Sequence, residues 1–304
     1  MRLPPALIPT LVAVLAAAGP LAPIHSTTAA KELPPKNRTR LRPVKTSAAV
    51  RKLASVRPMS NGTSSAELKW TFGGRPQRGW AVYVPLISNT VGAKAGIESE
   101  DFARAIGRWQ EARAIRQTRV VDNDTWARMI GEFQSSRIKD RYYPSTEDLV
   151  EAPASEFYDP ERPAELRQVD RTAYAAYKRM IVDAVKDPSL GPRVTGGGTL
   201  EPGLQVEEKY LKIISAFRTR DYQDRLRKAA PHSGRAGLAV NSPHFTGRAL
   251  DLYVGGEPVS TSESNRLIQT STPVYKWLVK NAARFGFHHY FYEPWHWEYL
   301  PGAQ

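Results

Sequence analysis

The sequence predicts an α+β fold: a small antiparallel sheet with flanking helices, preceded by a small helical unit. Apolar residues recur at helical spacing in several separate stretches, and short alternating apolar runs lie late in the chain. No series of strand–helix–strand units appears, which argues against a parallel sheet. With 304 residues, 41% of them hydrophobic, the chain can bury a core in one large domain or two smaller ones.

Residues 1–30 read as an export signal. Met1-Arg2 gives a positive start, Ala6 to Ala18 is apolar apart from Pro9 and Thr10, and small residues follow at Ala16–Ala18 and Thr28–Ala30. The run is too short for a stable membrane span. The rival reading is an apolar, proline-broken tail. Residues 31–70 read as a basic Pro/Ser-rich linker holding Lys31, Lys36, Arg38, Arg40, Arg42, Lys45, Arg51 and Lys52.

The formal charge is +13, which favours an anionic partner: nucleic acid, a membrane surface or an acidic wall polymer. Aromatic residues do not interleave with the linker cations, as base stacking requires, so a nucleic-acid partner is not expected. Cysteine is absent, which excludes disulfides and thiolate metal sites.

Residues 71–140 read as a helical unit. The Gly-Gly-Arg-Pro cluster after Trp70 gives a turn and a short strand. Ser99 can cap a helix whose stripe is Phe102, Ala105, Ile106 and Trp109. Asp122-Asn123-Asp124 opens a second with Trp126, Met129, Ile130 and Phe133. Residues 141–165, rich in Pro, Asp and Glu, read as a connecting segment across the surface. The last unit, 166–304, begins with a helix from Asp170 carrying Tyr174, Tyr177, Met180, Ile181 and Ala184; Gly196–Gly198 reads as loop. Tyr210–Phe217 reads as a strand leading to Arg218. Arg248–Val254 reads as another, with Leu250, Leu252 and Val254 on one face and Asp251 on the other. A helix starts at Pro273 and ends before Gly286, and Phe287–Leu300 reads as one final strand.

The chemistry concentrates in Ser242-Pro243-His244-Phe245-Thr246-Gly247-Arg248-Ala249-Leu250-Asp251 and in Glu293-Pro294-Trp295-His296. Two imidazoles and a carboxylate with an open fourth position suit a catalytic zinc ion, and a further carboxylate can act as base. His288 and His289 read as strand residues. Within an extended strand, residues three apart face opposite ways, so Glu293 and His296 can converge only if Pro294 bends the backbone.

At these residues the chain resembles the LAS-type zinc peptidases, and among them the VanY-like D-alanyl-D-alanine carboxypeptidases. Their Ser-x-His-x-x-Gly-x-Ala-x-Asp motif is matched by Ser242, His244, Gly247, Ala249 and Asp251, and their Glu-x-Trp-His motif by Glu293, Trp295 and His296. Ser215-Ala216-Phe217-Arg218-Thr219 with Gln223 resembles a third stretch, with Ala216 and Phe217 in place of the commoner Gly and Tyr. The resemblance implies zinc bound by His244, Asp251 and His296, Glu293 as general base and acid, and Arg218 as carbonyl stabiliser. Ser242 and Gln223 become candidate substrate contacts, although each can equally hold its own turn or loop. His232 and Arg235 are weaker candidates for a substrate carboxylate.

Residues 71–140 resemble the small peptidoglycan-binding domain found beside wall hydrolases, with Asn123 where a turn glycine is usual; a packing unit that binds nothing is the alternative. Together these imply an exported zinc peptidase that removes a C-terminal D-Ala from peptidoglycan stem peptides at a D,D or L,D bond, with glycan binding through the N-terminal unit. A cross-link endopeptidase and a non-catalytic wall-binding protein are the alternatives. Intact Glu293 argues against the latter, and Pro294 stands where the endopeptidase subgroup has a His.

Overall fold

A computed structural model describes residues 59–193, 196–197, 203–204, 208–229, 239–300 and 302. The export signal, linker residues 31–58, Gly198, His232 and Arg235 lie outside the described residues. Among the described residues no helix is long and apolar enough to cross a membrane.

The chain begins with helix α1 (Asn61–Glu67), the hairpin β1 (Lys69–Phe72) and β2 (Arg75–Arg78), and helices α2 (Val84–Val91), α3 (Glu100–Glu111) and α4 (Asn123–Ser135). Ser99 and Asp122 cap α3 and α4 by accepting from the Phe102 and Thr125 N–H groups. Helix α1 corrects the linker expectation, which ran to residue 70. It shows no apolar stripe because polar groups hold it. Asn61 exchanges 2.9 Å bonds with the backbone of Arg119 and Val121, and buried Ser64 accepts from Trp80 Nε1 at 3.0 Å.

The segment 141–165 does more than connect. Its strand β3 (Leu149–Glu151) pairs antiparallel with β4 (Gln168–Asp170), and its Ala152 and Phe157 are fully buried. Helix α5 (Arg171–Lys186) follows, capped by Asp170, and then the two-residue pair β5 (Gly196–Gly197) and β6 (Gly203–Leu204).

The main sheet has the order β7–β8–β10–β9 and is antiparallel throughout. Its strands are β7 (Ile213–Ser215), β8 (Ala249–Leu252), β9 (Phe287–His289) and β10 (His296–Tyr299). Helices α6 (Arg220–Ala229), α7 (Glu263–Ser271) and α8 (Pro273–Asn281) complete the unit. Leu250, Leu252 and Val254 enter the core formed with α5 and α8, as the alternation of β8 requires. The expected single strand Phe287–Leu300 is instead a hairpin. Trp297 pairs with His289 and Tyr299 with Phe287, and residues 290–295 form the connection.

That connection joins the two halves of the chain. Tyr290, Phe291 and Tyr292 belong to the aromatic core of the N-terminal helices, together with Trp80, Phe102, Trp109, Trp126 and Phe133. Phe291 meets Phe72 at 4.8 Å between ring centroids, Tyr83 at 5.6 Å and Trp126 at 6.2 Å. Arg266 of α7 donates to the Tyr83 hydroxyl at 2.8 Å, and Asn89 of α2 to the Val279 carbonyl of α8 at 3.2 Å. The β9–β10 connection thus belongs to the core of the N-terminal helices, which is distinct from the core of the sheet unit. Phe291→Ala removes the buried ring that ties this connection to the N-terminal core, so chemical unfolding is expected to show a loss of ~3–5 kcal/mol.

Candidate active site

Three adjacent strands of the sheet deliver the site. β7 runs into Arg218, a 3₁₀ turn at Pro243–Thr246 carries His244, Asp251 lies in β8 and His296 opens β10. Ser242 caps the turn, accepting from the His244 N–H at 3.3 Å. Gly247 closes it at φ +69°, where a Cβ would stand 2.9 Å from both the Asp170 nitrogen and a Leu149 methyl. Only glycine satisfies both the left-handed backbone and that approach.

His296 faces Asp251 in the β10–β8 register. Antiparallel partners project to one face. His244 Nε2 lies 3.3 Å from Asp251 Oδ2, and His296 Nδ1 lies 2.9 Å from Asp251 Oδ1. One potential ligand atom from each of the three falls within 4.8 Å of the others, and all three residues are buried. The outward ring nitrogens also have partners: His244 Nδ1 is 2.7 Å from the Ala216 carbonyl oxygen, and His296 Nε2 is 3.1 Å from Glu298 Oε1. Arg218 donates to Asp251 Oδ2 and to Ser215 Oγ, each at 2.9 Å.

Glu293 lies in the β9–β10 connection rather than in a strand. Its N–H donates to the Tyr290 carbonyl at 3.1 Å, and its own carbonyl accepts from the His296 N–H at 2.9 Å. This turn, with Pro294 inside it, removes the strand alternation that would have set Glu293 and His296 on opposite faces. Glu293 is buried, and its Oε1 has no hydrogen-bond partner.

Burial, with help from Arg218, lowers the His244 imidazole to about 4 and so favours the neutral ligand form. Burial also acts to lower His296, but its hydrogen bonds to Asp251 and Glu298 prevail and push it up to about 9. Burial would raise Asp251, yet the two imidazoles hold it well below the usual carboxylate range. Burial pushes Glu293 up to about 8. The field of Asp251 and Glu298 thus favours a positive charge at this point, as a proton on His296 or as a metal ion. Two nitrogen donors, one carboxylate and an unpartnered carboxylate oxygen nearby fit a divalent cation.

Residues 199–302 match the family model VanY, D-alanyl-D-alanine carboxypeptidase. The chain carries a VanY domain. VanY is a family of zinc metallopeptidases, and its match here contains every residue of the constellation from Arg218 to His296. A search of curated proteins gave no significant match.

The remaining expected residues hold other positions. Ser242 serves its own turn. Gln223 of α6 donates to the Ala239 carbonyl at 3.1 Å, while its buried Oε1 has no partner. Trp295 and Trp297 belong to the core. His288 and His289 lie in β9 with unpartnered, buried Nε2 atoms, and His289 packs on Phe133. Glu298 was missed. Its signal was the strand period, since it stands two residues beyond His296 in β10 and so shares its face.

In metal-free protein the raised Glu293 carboxyl has a definite sign. Its folded value, about 8, lies above the ordinary 4.5, so the folded state holds a proton that the unfolded state releases between those limits. Stability contributed by this group is full below the lower limit and falls by about 1.4 kcal/mol per pH unit on the way up. Chelated Glu293→Gln is therefore expected to gain stability over chelated wild type at pH 8 in urea titrations, with the gain fading toward pH 4.5.

Proposed function

We propose that this protein is a zinc-dependent peptidoglycan carboxypeptidase that removes a C-terminal D-Ala from stem peptides. The observation carrying this reading is the convergence of buried His244, Asp251 and His296 beside buried Glu293 within the VanY domain. His244 and His296 supply nitrogen, Asp251 supplies oxygen, and zinc suits that donor set. When bound, the ion supplies Lewis acidity, making water a nucleophile near neutral pH and polarising the scissile carbonyl.

The chain's own residues do the rest. Glu293 takes the proton from the attacking water through its free Oε1 and hands it to the departing amine. Arg218, fixed by Ser215 and Asp251, presents a permanent positive charge toward the oxygen on which charge develops. Gln223 keeps one amide oxygen for a peptide N–H. The substrate lies outside the cytoplasmic membrane, in accord with residues 1–30 as an export signal. Glycan binding by residues 71–140 is an additional proposal, resting on their sequence resemblance.

Purified pentapeptide and tetrapeptide stems are expected to lose one Ala by mass spectrometry, with loss abolished by a chelator and restored by zinc. Release from the pentapeptide marks D,D specificity and release from the tetrapeptide L,D specificity. Cleavage of cross-linked dimers alone would replace this reading with the endopeptidase. Glu293→Ala is expected to retain zinc while losing ~100-fold or more in kcat; His296→Ala is expected to lose both, as read by metal analysis and turnover.

A further inference from the structure

Glu298 is completely buried, and four donors from three residues surround it. Its Oε1 lies 3.1 Å from His296 Nε2 and accepts from Arg137 Nε at 2.9 Å; the Arg137 terminal nitrogen donates to the same oxygen. Its Oε2 accepts from the Ile138 N–H at 2.6 Å. Arg137 and Ile138 follow the end of α4, so they come from the N-terminal helices, 161 and 160 residues away from Glu298 in sequence. Arg137 lies outside the VanY match. Its guanidinium also stacks over the Tyr290 ring, 3.9 Å from the centroid, at the root of the connection bearing Glu293.

The register explains how this fits. Glu298 faces Ala249 across the β10–β8 pair, while His296 faces Asp251. A methyl group opposite Glu298 leaves the carboxylate room for a guanidinium from outside the sheet. His296 and Glu298 share one face of β10, and the carboxylate reaches the ring nitrogen that turns away from Asp251.

We propose that Arg137 and Glu298 are positioning residues of the metal centre, fixing the His296 imidazole so that Nδ1 is presented to the ion. An ionised carboxylate can only accept. Both ring nitrogens face carboxylates, Nδ1 lying 2.9 Å from Asp251 Oδ1; with an ion held at Nδ1, Glu298 would keep the remaining ring proton on Nε2 and raise the donor strength of Nδ1. Arg137 balances the carboxylate's charge and, with the Ile138 N–H, fixes its orientation. His244 is oriented by a backbone carbonyl, so His296 is the ligand that depends on a distant side chain. The N-terminal helices, on this account, help to build the metal centre whether or not they bind glycan.

This inference rests on the metal-dependent reading above, and metal binding can test it without substrate. Glu298→Gln keeps an acceptor oxygen and loses the charge. The double variant Arg137→Met with Glu298→Gln also removes the guanidinium left unpaired, so that folding survives. Zinc affinity is read by competition with a chromophoric chelator, ring geometry by the visible spectrum of the cobalt-loaded protein, and fold by near-ultraviolet circular dichroism. Folded variants are expected to bind zinc 10–100-fold more weakly, with a changed cobalt spectrum and a lower kcat at unchanged KM. Arg137→Lys, which keeps the charge, is expected to recover part of the affinity. Folded variants with wild-type affinity and spectrum overturn the proposal. Should wild type bind zinc and cleave no stem peptide, the functional reading falls while the affinity comparison still decides this one.

Discussion

The organising constraint is the removal of seven ionisable groups from water. Arg137, Arg218, His244, Asp251, Glu293, His296 and Glu298 are each at most 6% exposed. Isolated charges buried in this way cost several kcal/mol apiece, so they persist only when they satisfy one another. The pairs are explicit here: Arg218 with Asp251, Arg137 with Glu298, and His296 between the two carboxylates. Glu293 is the exception, with one oxygen unsatisfied. Its proposed role as the base gives that free oxygen a partner in the attacking water.

Holding such a group in place requires a stiff frame, and the aromatic connection provides it. Tyr290, Phe291 and Tyr292 immediately precede Glu293 and are anchored in the N-terminal core. On the far side, Trp295 lies in the sheet core and Trp297 donates to the Pro294 carbonyl at 3.2 Å. The turn that bears Glu293 is thus gripped by two different hydrophobic cores. That distributes its rigidity across the molecule and makes the short hairpin β9–β10 dependent on helices formed early in the chain.

Much of this was legible in the sequence because it obeys local rules. The capped stripes of α3, α4 and α5 are periodic, and Gly247 ends a turn that leads directly into the alternation of β8. The cluster of His244, Asp251 and His296 was legible through the motifs that resemble those of the VanY-like peptidases. What escaped has physical reasons. Helix α1 is held by Asn61 and Ser64 rather than by apolar residues, leaving no stripe to detect. The β9–β10 hairpin was read as one strand because its connection, Tyr290-Phe291-Tyr292, is as aromatic as the strands around it; those rings serve a different core. Arg137 carries no local signal, since its meaning depends on a carboxylate on the opposite side of the sequence.

The charge balance links these features to chemistry. With both imidazoles neutral, the carboxylates Asp251, Glu293 and Glu298 oppose only Arg137 and Arg218, leaving one negative charge in excess in a dry interior. Without a metal ion, burial pushes Glu293 up to about 8, and the bonds to Asp251 and Glu298 push His296 up to about 9. A divalent ion held by the triad would answer the same field, and its binding would then release protons. In the proposed mechanism Glu293 accepts a proton from water and so must be unprotonated, a state that a neighbouring cation favours. On the proposed reading, a cation held by His244, Asp251 and His296 would also favour an ionised Glu293, and the Arg137–Glu298 pair would tune that coupling through the negative charge that His296 meets.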